Sequence, residues 1–368
     1  MPRAQLPAAN LVFLVDVSGS MQSPDKLELL KSALRLLVRE LKADDRVSMV
    51  VYAGASGVVL DPTPGDQSAT IGAALDGLTA GGSTNGGAGI RMAYALAQQS
   101  FIKDGINRVI LATDGDFNVG TVDFEMLKQL VEDRRAHGIG LTTLGFGTGN
   151  YNDHLMEQLA DAGNGNYAYI DTLSEARKAL VDEMSSILMT IAKDVKIQVE
   201  FNPATVAEYR LIGYENRALA REDFSNDRVD AGEIGAGHSV TAIYELALTG
   251  SAGRRLDGSR YQPQQNATVN KSELALVRLR YKQPDSETSI LIERPVRTAE
   301  VIKQLGQTSG YYRFSAAVAG FGQILRGGKY TGDFSYPEVL ALARGARGDD
   351  PFGYRGEFLQ LANLASSL

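Results

Sequence analysis

Three oxygen-bearing side chains follow an apolar run near the start of the chain, at a spacing that suits a metal ion. Asp16, Ser18 and Ser20 come directly after Leu11–Val15, a run that predicts a short buried strand. Side chains at every second position of a loop can converge on one point. Carboxylate and hydroxyl oxygens are the ligands that hard cations such as Mg²⁺, Ca²⁺ and Mn²⁺ prefer. A tight turn that leads into a helix is the alternative explanation of this pentapeptide.

Two later segments strengthen the metal interpretation. Segment 81–87 reads Gly-Gly-Ser-Thr-Asn-Gly-Gly and brings the hydroxyls of Ser83 and Thr84 to the start of a predicted helix. Asp114 follows the predicted strand Arg108–Thr113. In a parallel sheet the carboxyl ends of the strands open on one edge, where ligands bind. We therefore expect a threonine hydroxyl from segment 81–87 and Asp114 to surround one ion together with the first three side chains.

The elements that must position these groups alternate between strands and helices. The predicted strands are Leu11–Val15, Arg46–Ala53, Val58–Leu60, Arg108–Thr113, Leu141–Phe146 and Tyr167–Ile170. The predicted helices are Leu27–Leu41, Ala69–Leu78, Gly89–Phe101, Phe124–Ala136, Asp153–Ala162 and a long one over 174–193. This order predicts an α/β fold with a doubly wound, mostly parallel, Rossmann-like sheet that is covered by helices on both faces.

The pattern changes near residue 194. The strands predicted beyond it have no helices between them and are Val195–Phe201, Tyr209–Ile212, Val240–Leu248, Leu274–Tyr281 and Ser289–Ile292. Three predicted helices follow: Tyr311–Leu325, Pro337–Arg347 and Phe352–Leu364. A chain of 368 residues is long enough for two domains. We predict an α/β domain at 1–193 with the metal residues, and a β-rich, sandwich-like domain with C-terminal helices at 194–368.

Composition and charge exclude several classes of function. With no Cys, the chain has no disulfide, no thiolate zinc site and no Cys nucleophile. Residues 1–190 carry 15 Lys and Arg against 23 Asp and Glu, whereas residues 191–368 carry 22 against 21. Neither half has the basic character of a nucleic-acid-binding domain. The run Leu11–Val15 is far too short for a membrane span or a signal sequence, so no membrane span is expected in this chain.

Other site patterns in the sequence are weaker. Segment 114–125 matches part of a calcium-binding loop, but Val119 stands where that loop needs Gly, and a strand precedes it instead of a helix. Gly145–Gly149 resembles part of a dinucleotide-binding turn, with its third glycine misplaced. No nucleophile elbow and no His-Glu-x-x-His pattern is present. We therefore predict neither catalytic residues nor an organic cofactor, and Asp116 is the one candidate general base.

The three metal-site segments in their order carry a resemblance to a known family. Asp-x-Ser-x-Ser at 16–20, Gly-Gly-Ser-Thr at 81–84 and Thr-Asp-Gly at 113–115 resemble the von Willebrand factor type A domain family over residues 10–190. The resemblance implies a metal-ion-dependent adhesion site. The residues that match its ligands are Asp16, Ser18, Ser20, Thr84 and Asp114. In that family the hydroxyls bind the metal directly, and the aspartates bind it directly or through water.

The chain departs from the family pattern at one position. Ser83 is an extra residue between the glycines and Thr84. Ser83 is therefore the alternative ligand, although alignment on Asn85 favours Thr84.

The resemblance also implies a function. It predicts a non-enzymatic, divalent-metal-dependent protein-binding module for adhesion or scaffolding. An exposed Asp or Glu of a protein partner completes the coordination of the cation, with Mg²⁺ favoured and Ca²⁺ or Mn²⁺ as alternatives. Two other functions stay open: a structural module whose metal site stabilises the domain, and a metal-dependent hydrolase with Asp116 as its base.

A longer resemblance extends over essentially the whole chain, to bacterial proteins of the YfbK type. In these proteins an A domain precedes a C-terminal domain of unknown function. The residues that carry this second match lie in segments 209–217 and 230–238. The resemblance implies the bacterial cell envelope, periplasmic or at the surface. The signal and lipid anchor of such proteins are not found in this chain, so we expect a shortened or unanchored version.

Overall fold

The computed structural model describes residues 6–115, 124–147, 153–183, 190–214, 219–227, 229, 231–256, 271–284 and 286–368. The chain divides into two compact units. Unit 1 comprises Met1–Val195, Asp230–His238 and Lys282–Thr288. Unit 2 comprises Lys196–Val229, Ser239–Tyr281 and Ser289–Leu368. Two short segments from the second half of the chain thus belong to unit 1.

Unit 1 is built on a six-stranded sheet in the order β3-β2-β1-β4-β5-β6. Its strands are β1 Ala9–Asp16, β2 Arg46–Tyr52, β3 Ser56–Pro64, β4 Ile106–Thr113, β5 Ile139–Phe146 and β6 Tyr167–Ile170. Its helices are α1 Leu29–Val38, α2 Ser68–Asp76, α3 Gly86–Gln99, α4 Phe124–Ala136, α5 Asp153–Ala162 and α6 Leu173–Arg177. Shorter turns of helix cover Gly19–Gln22, Pro24–Glu28 and Lys178–Asp182. All neighbouring strands are parallel except β3, which runs antiparallel to β2 at the edge.

The apolar run of β1 is buried on both faces of this sheet. Leu11 and Phe13 pack in one hydrophobic cluster with residues of α1 and α2. Val12 and Leu14 point to the other face, where they pack in a second cluster with residues of α3, α4 and α5. Because successive strand side chains point to opposite faces, a strand between two helical layers has to be apolar throughout.

The strand order places the ends of β1 and β4 side by side. Val15 of β1 is the register partner of Ala112 of β4, and Asp16 is the register partner of Tyr52 of β2. From β1 the sheet continues through β2 on one side, and from β4 it continues through β5 on the other side. Their junction is the topological switch point, where doubly wound sheets bind ligands. Asp16 and Asp114 leave the sheet on the two sides of this junction.

The remaining strands belong to a second, antiparallel region. They are β7 Thr190–Phe201, β8 Val206–Ile212, β9 Gly232–Gly235, β10 Ile243–Leu248, β11 Glu273–Lys282 and β12 Ser289–Arg297. In unit 1, β9 pairs antiparallel with the first half of β7. In unit 2, β10 pairs antiparallel with β8, and β11 lies between β12 and the rest of β7.

Three helices complete unit 2: α7 Gly310–Leu325, α8 Tyr336–Gly345 and α9 Tyr354–Ala365. They pack around a small core of Ala317, Val339, Leu340, Ala343 and Ala362. The predicted fold class is confirmed, because the structure combines a mostly parallel sheet with helices, a second antiparallel region and C-terminal helices. Within the described ranges, no helix is both long and apolar enough to cross a membrane.

The long helix predicted over 174–193 is wrong in its last part. Helix α6 and the helical turn Lys178–Asp182 form its first part, but β7 already begins at Thr190, where it pairs with Gly235 of β9. Pairing with a strand more than forty residues away leaves no trace in the local periodicity on which the prediction relied. Residues 184–189 lie outside the described part of the chain.

Candidate metal centre

Asp16 is the last residue of β1, and its side chain is completely buried. One carboxylate oxygen, Oδ1, accepts a hydrogen bond from the backbone N–H of Ser18 at 2.8 Å. The other, Oδ2, accepts a hydrogen bond from Thr113 Oγ1 at 3.0 Å. The carboxylate is therefore fixed between its own loop and the end of β4.

The surroundings of Asp16 penalise its negative charge. Burial raises the pKa of the Asp16 carboxyl above its usual value, although the hydrogen bonds from Ser18 and Thr113 oppose the rise. The nearby charge of Asp114 raises the pKa further. A cation placed between two such carboxylates would remove this penalty, since an opposite charge favours the ionised form.

The two serine hydroxyls of the loop come together beside Asp16. Ser18 Oγ and Ser20 Oγ are 3.0 Å apart. Ser18 is buried and Ser20 is exposed, so the pair leads from the buried carboxylate outward to solvent. An ion that contacts both hydroxyls would remain accessible from outside.

Two backbone hydrogen bonds dock the Gly-rich loop on the loop after β1. Gly81 N donates to Val17 O at 2.8 Å, and Gly19 N donates to Gly82 O at 3.0 Å. Gly82 has a φ of +84°, which side-chain-bearing residues rarely adopt. These contacts bring segment 81–84 to the same edge of the sheet as Asp16, as the sequence predicts.

The structure gives Ser83 and Thr84 different surroundings. Ser83 is exposed, and its Oγ lies beside Gly54, since a Cβ built on Gly54 would be 3.2 Å from it. Thr84 is half-buried. The hydroxyl of Ser83 is thus directed toward the turn after β2.

Asp114 follows β4, and its side chain is only 3% exposed. Its Oδ2 accepts a hydrogen bond from Lys26 Nζ at 2.9 Å, and the same ammonium group donates to Ser20 O at 3.0 Å. Lys26 lies in the turn Pro24–Glu28. Its positive charge therefore joins the loop after β4 to the loop after β1.

Sequence reasoning missed three members of this site. Lys26 contacts a residue 88 positions away, and nothing in the local sequence indicates it. Thr113 stands in the matched motif, but only the structure shows that it holds Asp16. Tyr52 is the buried neighbour of Asp16 in the sheet, and its burial together with the charge of Asp16 raises its pKa well above the ordinary value. Tyr52 therefore remains a neutral phenol.

The donor set fits a hard cation in its chemistry. Two carboxylates, two converging hydroxyls and a half-buried threonine are all oxygen ligands. Among the described residues there is no group of three or more His, Cys, Asp or Glu side chains that could hold a metal. A cation here would thus depend on hydroxyls and water as well as on Asp16 and Asp114, and the ligand assignment stays a prediction.

Other sequence hypotheses fall on residues that the structure does not describe. Two of these residues lie outside the described part of the chain: Asp116, the candidate base, and Val119, which stands where a calcium-binding loop needs Gly. The same is true of Gly149, the third glycine of the segment that resembles a dinucleotide-binding turn. These hypotheses therefore remain predictions from the sequence.

Two family models match separate parts of the chain. Residues 11–116 match the von Willebrand factor type A domain, and residues 186–368 match the C-terminal domain of the uncharacterised protein YfbK. The chain is 49% identical over 366 residues to the uncharacterised protein YfbK of Escherichia coli, an alignment that covers 99% of this chain and 63% of that protein. The A domain and the second domain thus occur together in this relative.

Similarity extends to more distant proteins. The chain is 25% identical over 263 residues to the inter-alpha-trypsin inhibitor heavy chain H3 of Pongo abelii, with 65% of this chain and 29% of that protein covered. A solved von Willebrand factor type A structure from Catenulispora acidiphila aligns with a TM-score of 0.48 at 16% identity, over 92% of this chain and 80% of that one. The chain spans less than two thirds of the length of the curated relatives described here. The two family matches and the 49% identity show that the chain carries a von Willebrand factor type A domain followed by a C-terminal domain of the YfbK type.

Proposed function

We propose that the first unit is a divalent-metal-dependent protein-binding module. In this proposal the cation, Mg²⁺ foremost, is held by Asp16, Ser18, Ser20, Thr84 and Asp114. An exposed Asp or Glu of a protein partner completes the coordination. The cation would supply a local positive charge at the edge of an acidic domain, where a carboxylate would otherwise be repelled.

One observation carries the proposal. The carboxylates of Asp16 and Asp114 leave neighbouring strands at the switch point of the sheet, and the Ser18–Ser20 hydroxyl pair runs outward from them. The charge-bearing groups are buried, whereas Ser20 is open to solvent. This combination suits an ion that is held from inside and shared with a ligand from outside.

Similarity to other proteins supports an interaction role. The von Willebrand factor type A match covers the segment that contains all five proposed ligands. One relative is by name a heavy chain of an inhibitor, and the YfbK relative is uncharacterised. We extend the interaction role to this chain as a proposal, together with a non-enzymatic function and a place in the bacterial cell envelope.

Capture of a partner protein by the immobilised chain, from an envelope extract of the source organism, tests the proposal. We expect the immobilised chain to retain a protein in MgCl₂ and to lose it in EDTA. Asp16→Asn should abolish capture. Asp45→Asn is the matched control, because Asp45 is also fully buried but lies where β1 and β2 begin, at the opposite ends of these strands from Asp16. There Asp45 accepts a hydrogen bond from Ala9 N at 2.8 Å. Capture that survives both EDTA and Asp16→Asn would contradict the proposal.

The partner's carboxylate can be tested in the same format. The extract is treated with a carbodiimide and ethanolamine, which converts exposed carboxylates to neutral amides. We expect capture in MgCl₂ to be lost after this treatment and to persist after ethanolamine alone. Unchanged capture would mean that the partner does not bind through Asp or Glu.

The burial of Asp16 also favours a second function, a metal site that mainly stabilises the domain. Since burial penalises the charged carboxylate, a bound cation would raise the melting temperature whether or not a partner binds. Thermal melting in MgCl₂ and in EDTA distinguishes the two functions when it is combined with capture. A large shift without metal-dependent capture supports the stabilising role alone.

A further inference from the structure

The ammonium group of Lys26 already lies on the proposed metal site. Its Nζ is 2.9 Å from Asp114 Oδ2 and 3.0 Å from Ser20 O. Asp114 is a proposed ligand, and Ser20 contributes its hydroxyl to the same site. Lys26 therefore binds Asp114 Oδ2, for which a divalent cation would compete, and is held beside it by the backbone carbonyl of Ser20.

The side chain of Lys26 is held along its whole length. Its aliphatic part packs over Gly147, at the end of β5, so closely that a Cβ built on Gly147 would lie 2.6 Å from Lys26 Cγ. The Lys26 side chain is 18% exposed. Tyr169 donates a hydrogen bond from its hydroxyl to Gly147 O, which holds the residue under the lysine. Lys26 is thus a packed component of the site, unlike a freely moving surface lysine.

The charges of the site explain what Lys26 does there. Asp16 and Asp114 place two buried carboxylates at one edge of the sheet, and the ammonium group of Lys26 lies against one of them. A lone buried charge is costly, so a fixed positive partner stabilises the site when no metal is bound. A divalent cation on Asp114 would lie within a few ångströms of that ammonium and would repel it strongly.

We propose that Lys26 is a tethered counter-ion that competes with the divalent metal for Asp114. The metal-free protein keeps its ammonium on Asp114, and metal binding requires the ammonium to leave. Lys26 then sets the metal concentration at which the site fills. This inference rests on the proposed metal site and goes beyond it by assigning the residue that limits its affinity.

Titration calorimetry with MgCl₂ and MnCl₂ on Lys26→Met tests the competition. Methionine keeps the aliphatic stem over Gly147 and removes the charge. If the site is free of the ammonium for only about a tenth of the time, removing the charge lowers the Kd about tenfold. The melting temperature in EDTA should fall, and the increase on adding metal should be larger than in the wild type.

Lys31→Met is the control for the loss of an ion-paired lysine charge. Lys31 is buried, whereas Lys26 is half-buried, and the Nζ of Lys31 pairs with Glu28 Oε1 at 2.7 Å on the same stretch of chain. We expect this variant to bind metal with the wild-type Kd. An unchanged or weaker affinity in Lys26→Met overturns the competition, and a weaker one would mean that Lys26 positions Asp114 for the ion. If neither the wild type nor Lys26→Met binds metal, the proposed metal site itself fails.

A measurement on the wild-type chain keeps the test independent of how the variant folds. Acetylation of lysines is followed by mass spectrometry, with Lys31 as the internal reference. We expect MgCl₂ to speed the acetylation of Lys26 severalfold, because its ammonium is released, and to leave Lys31 unchanged. Equal or slower acetylation of Lys26 in MgCl₂ contradicts the proposal.

Discussion

Thr113 Oγ1 donates a hydrogen bond to Asp16 Oδ2 across 3.0 Å, and it joins the ends of two neighbouring parallel strands. The same Oγ1 accepts a hydrogen bond from Gly115 N at 3.2 Å. One hydroxyl therefore fixes both the buried carboxylate after β1 and the start of the loop that carries Asp114. The geometry of the proposed site depends on this contact as much as on the ligands.

Thr113→Val tests that contact, because valine keeps the shape and removes the hydroxyl. Leaving a buried carboxylate without this donor should lower the free energy of unfolding by about 1–3 kcal/mol. Weaker Mg²⁺ binding by calorimetry is also expected, since Asp16 loses its orientation. Thr143→Val is the control. Thr143 lies in β5, away from the site, and its Oγ1 donates a hydrogen bond to Met156 O at 3.0 Å. This control should lose stability and keep its Mg²⁺ affinity; an unchanged affinity in Thr113→Val would refute the orienting role.

The choice between Ser83 and Thr84 makes a second prediction. Ser83 Oγ lies beside Gly54 at the turn after β2, and Thr84 is half-buried. We therefore expect Thr84→Val to weaken Mg²⁺ binding by roughly tenfold or more, and Ser83→Ala to leave it unchanged. The reverse ranking in calorimetry would assign the ligand to Ser83.

Two helical glycines of unit 1 have opposite predicted effects on stability. Gly89 in α3 faces β2, where a Cβ would lie 2.9 Å from Tyr52 Cβ, whereas a Cβ on Gly72 in α2 meets nothing within 4 Å. Gly72→Ala should raise the free energy of unfolding by about 0.5–1 kcal/mol through helix propensity. Gly89→Ala should lower it by about 1–3 kcal/mol through overpacking. Denaturant unfolding measures both, and equal effects would show that α3 does not depend on this close approach.

Much of the α/β half could be predicted from sequence, because its signals are local. The predicted bounds of α4, α5 and β6 agree with the structure. Burial on both faces makes each central strand a continuous apolar run, and short connections separate these runs from amphipathic helices. The edge location of Asp16 and Asp114 follows from the same rule about the carboxyl ends of parallel strands.

The parts that could not be predicted depend on contacts between distant residues. Thr190 belongs to a strand because it pairs with Gly235, although the local pattern favours a helix. Lys26 reaches Asp114 across 88 positions, and its packing on Gly147 requires the end of a third strand. The motif indicates which oxygen atoms lie at the site, but only the tertiary structure shows that the ammonium group of Lys26 also lies there.

Asp350 provides a pH prediction for the helical end of unit 2. It accepts hydrogen bonds from Arg355 N at 3.1 Å and Gly356 N at 2.8 Å at the start of α9. Burial alone would raise the pKa of Asp350, but these hydrogen bonds outweigh it and lower the pKa below the ordinary value of 3.8. A lowered pKa in the folded state gives stability that is present above pH 3.8 and is lost as the pH falls through the folded pKa.

Asp350→Asn should remove this pH dependence. At neutral pH we expect the variant to lose about 0.5–2 kcal/mol, as on removal of a helix cap. As the pH falls from 3.8 through the folded pKa of Asp350, the difference from the wild type should shrink, because the wild-type carboxylate takes up a proton. Thermal melts followed by circular dichroism over a series of pH values measure both effects. A constant difference at every pH would mean that the charge of Asp350 contributes nothing.

Calorimetric titration of MgCl₂ into the wild type, Asp16→Asn and Asp45→Asn tests the central claim most directly. Asparagine at position 16 keeps the shape of the side chain, and its neutral amide should leave the protein folded in EDTA, as melting will verify. We predict saturable binding of one ion to the wild type and to Asp45→Asn, and none to Asp16→Asn. The account is contradicted if the folded wild type binds no Mg²⁺, Mn²⁺ or Ca²⁺, or if Asp16→Asn binds the ion as tightly as the wild type.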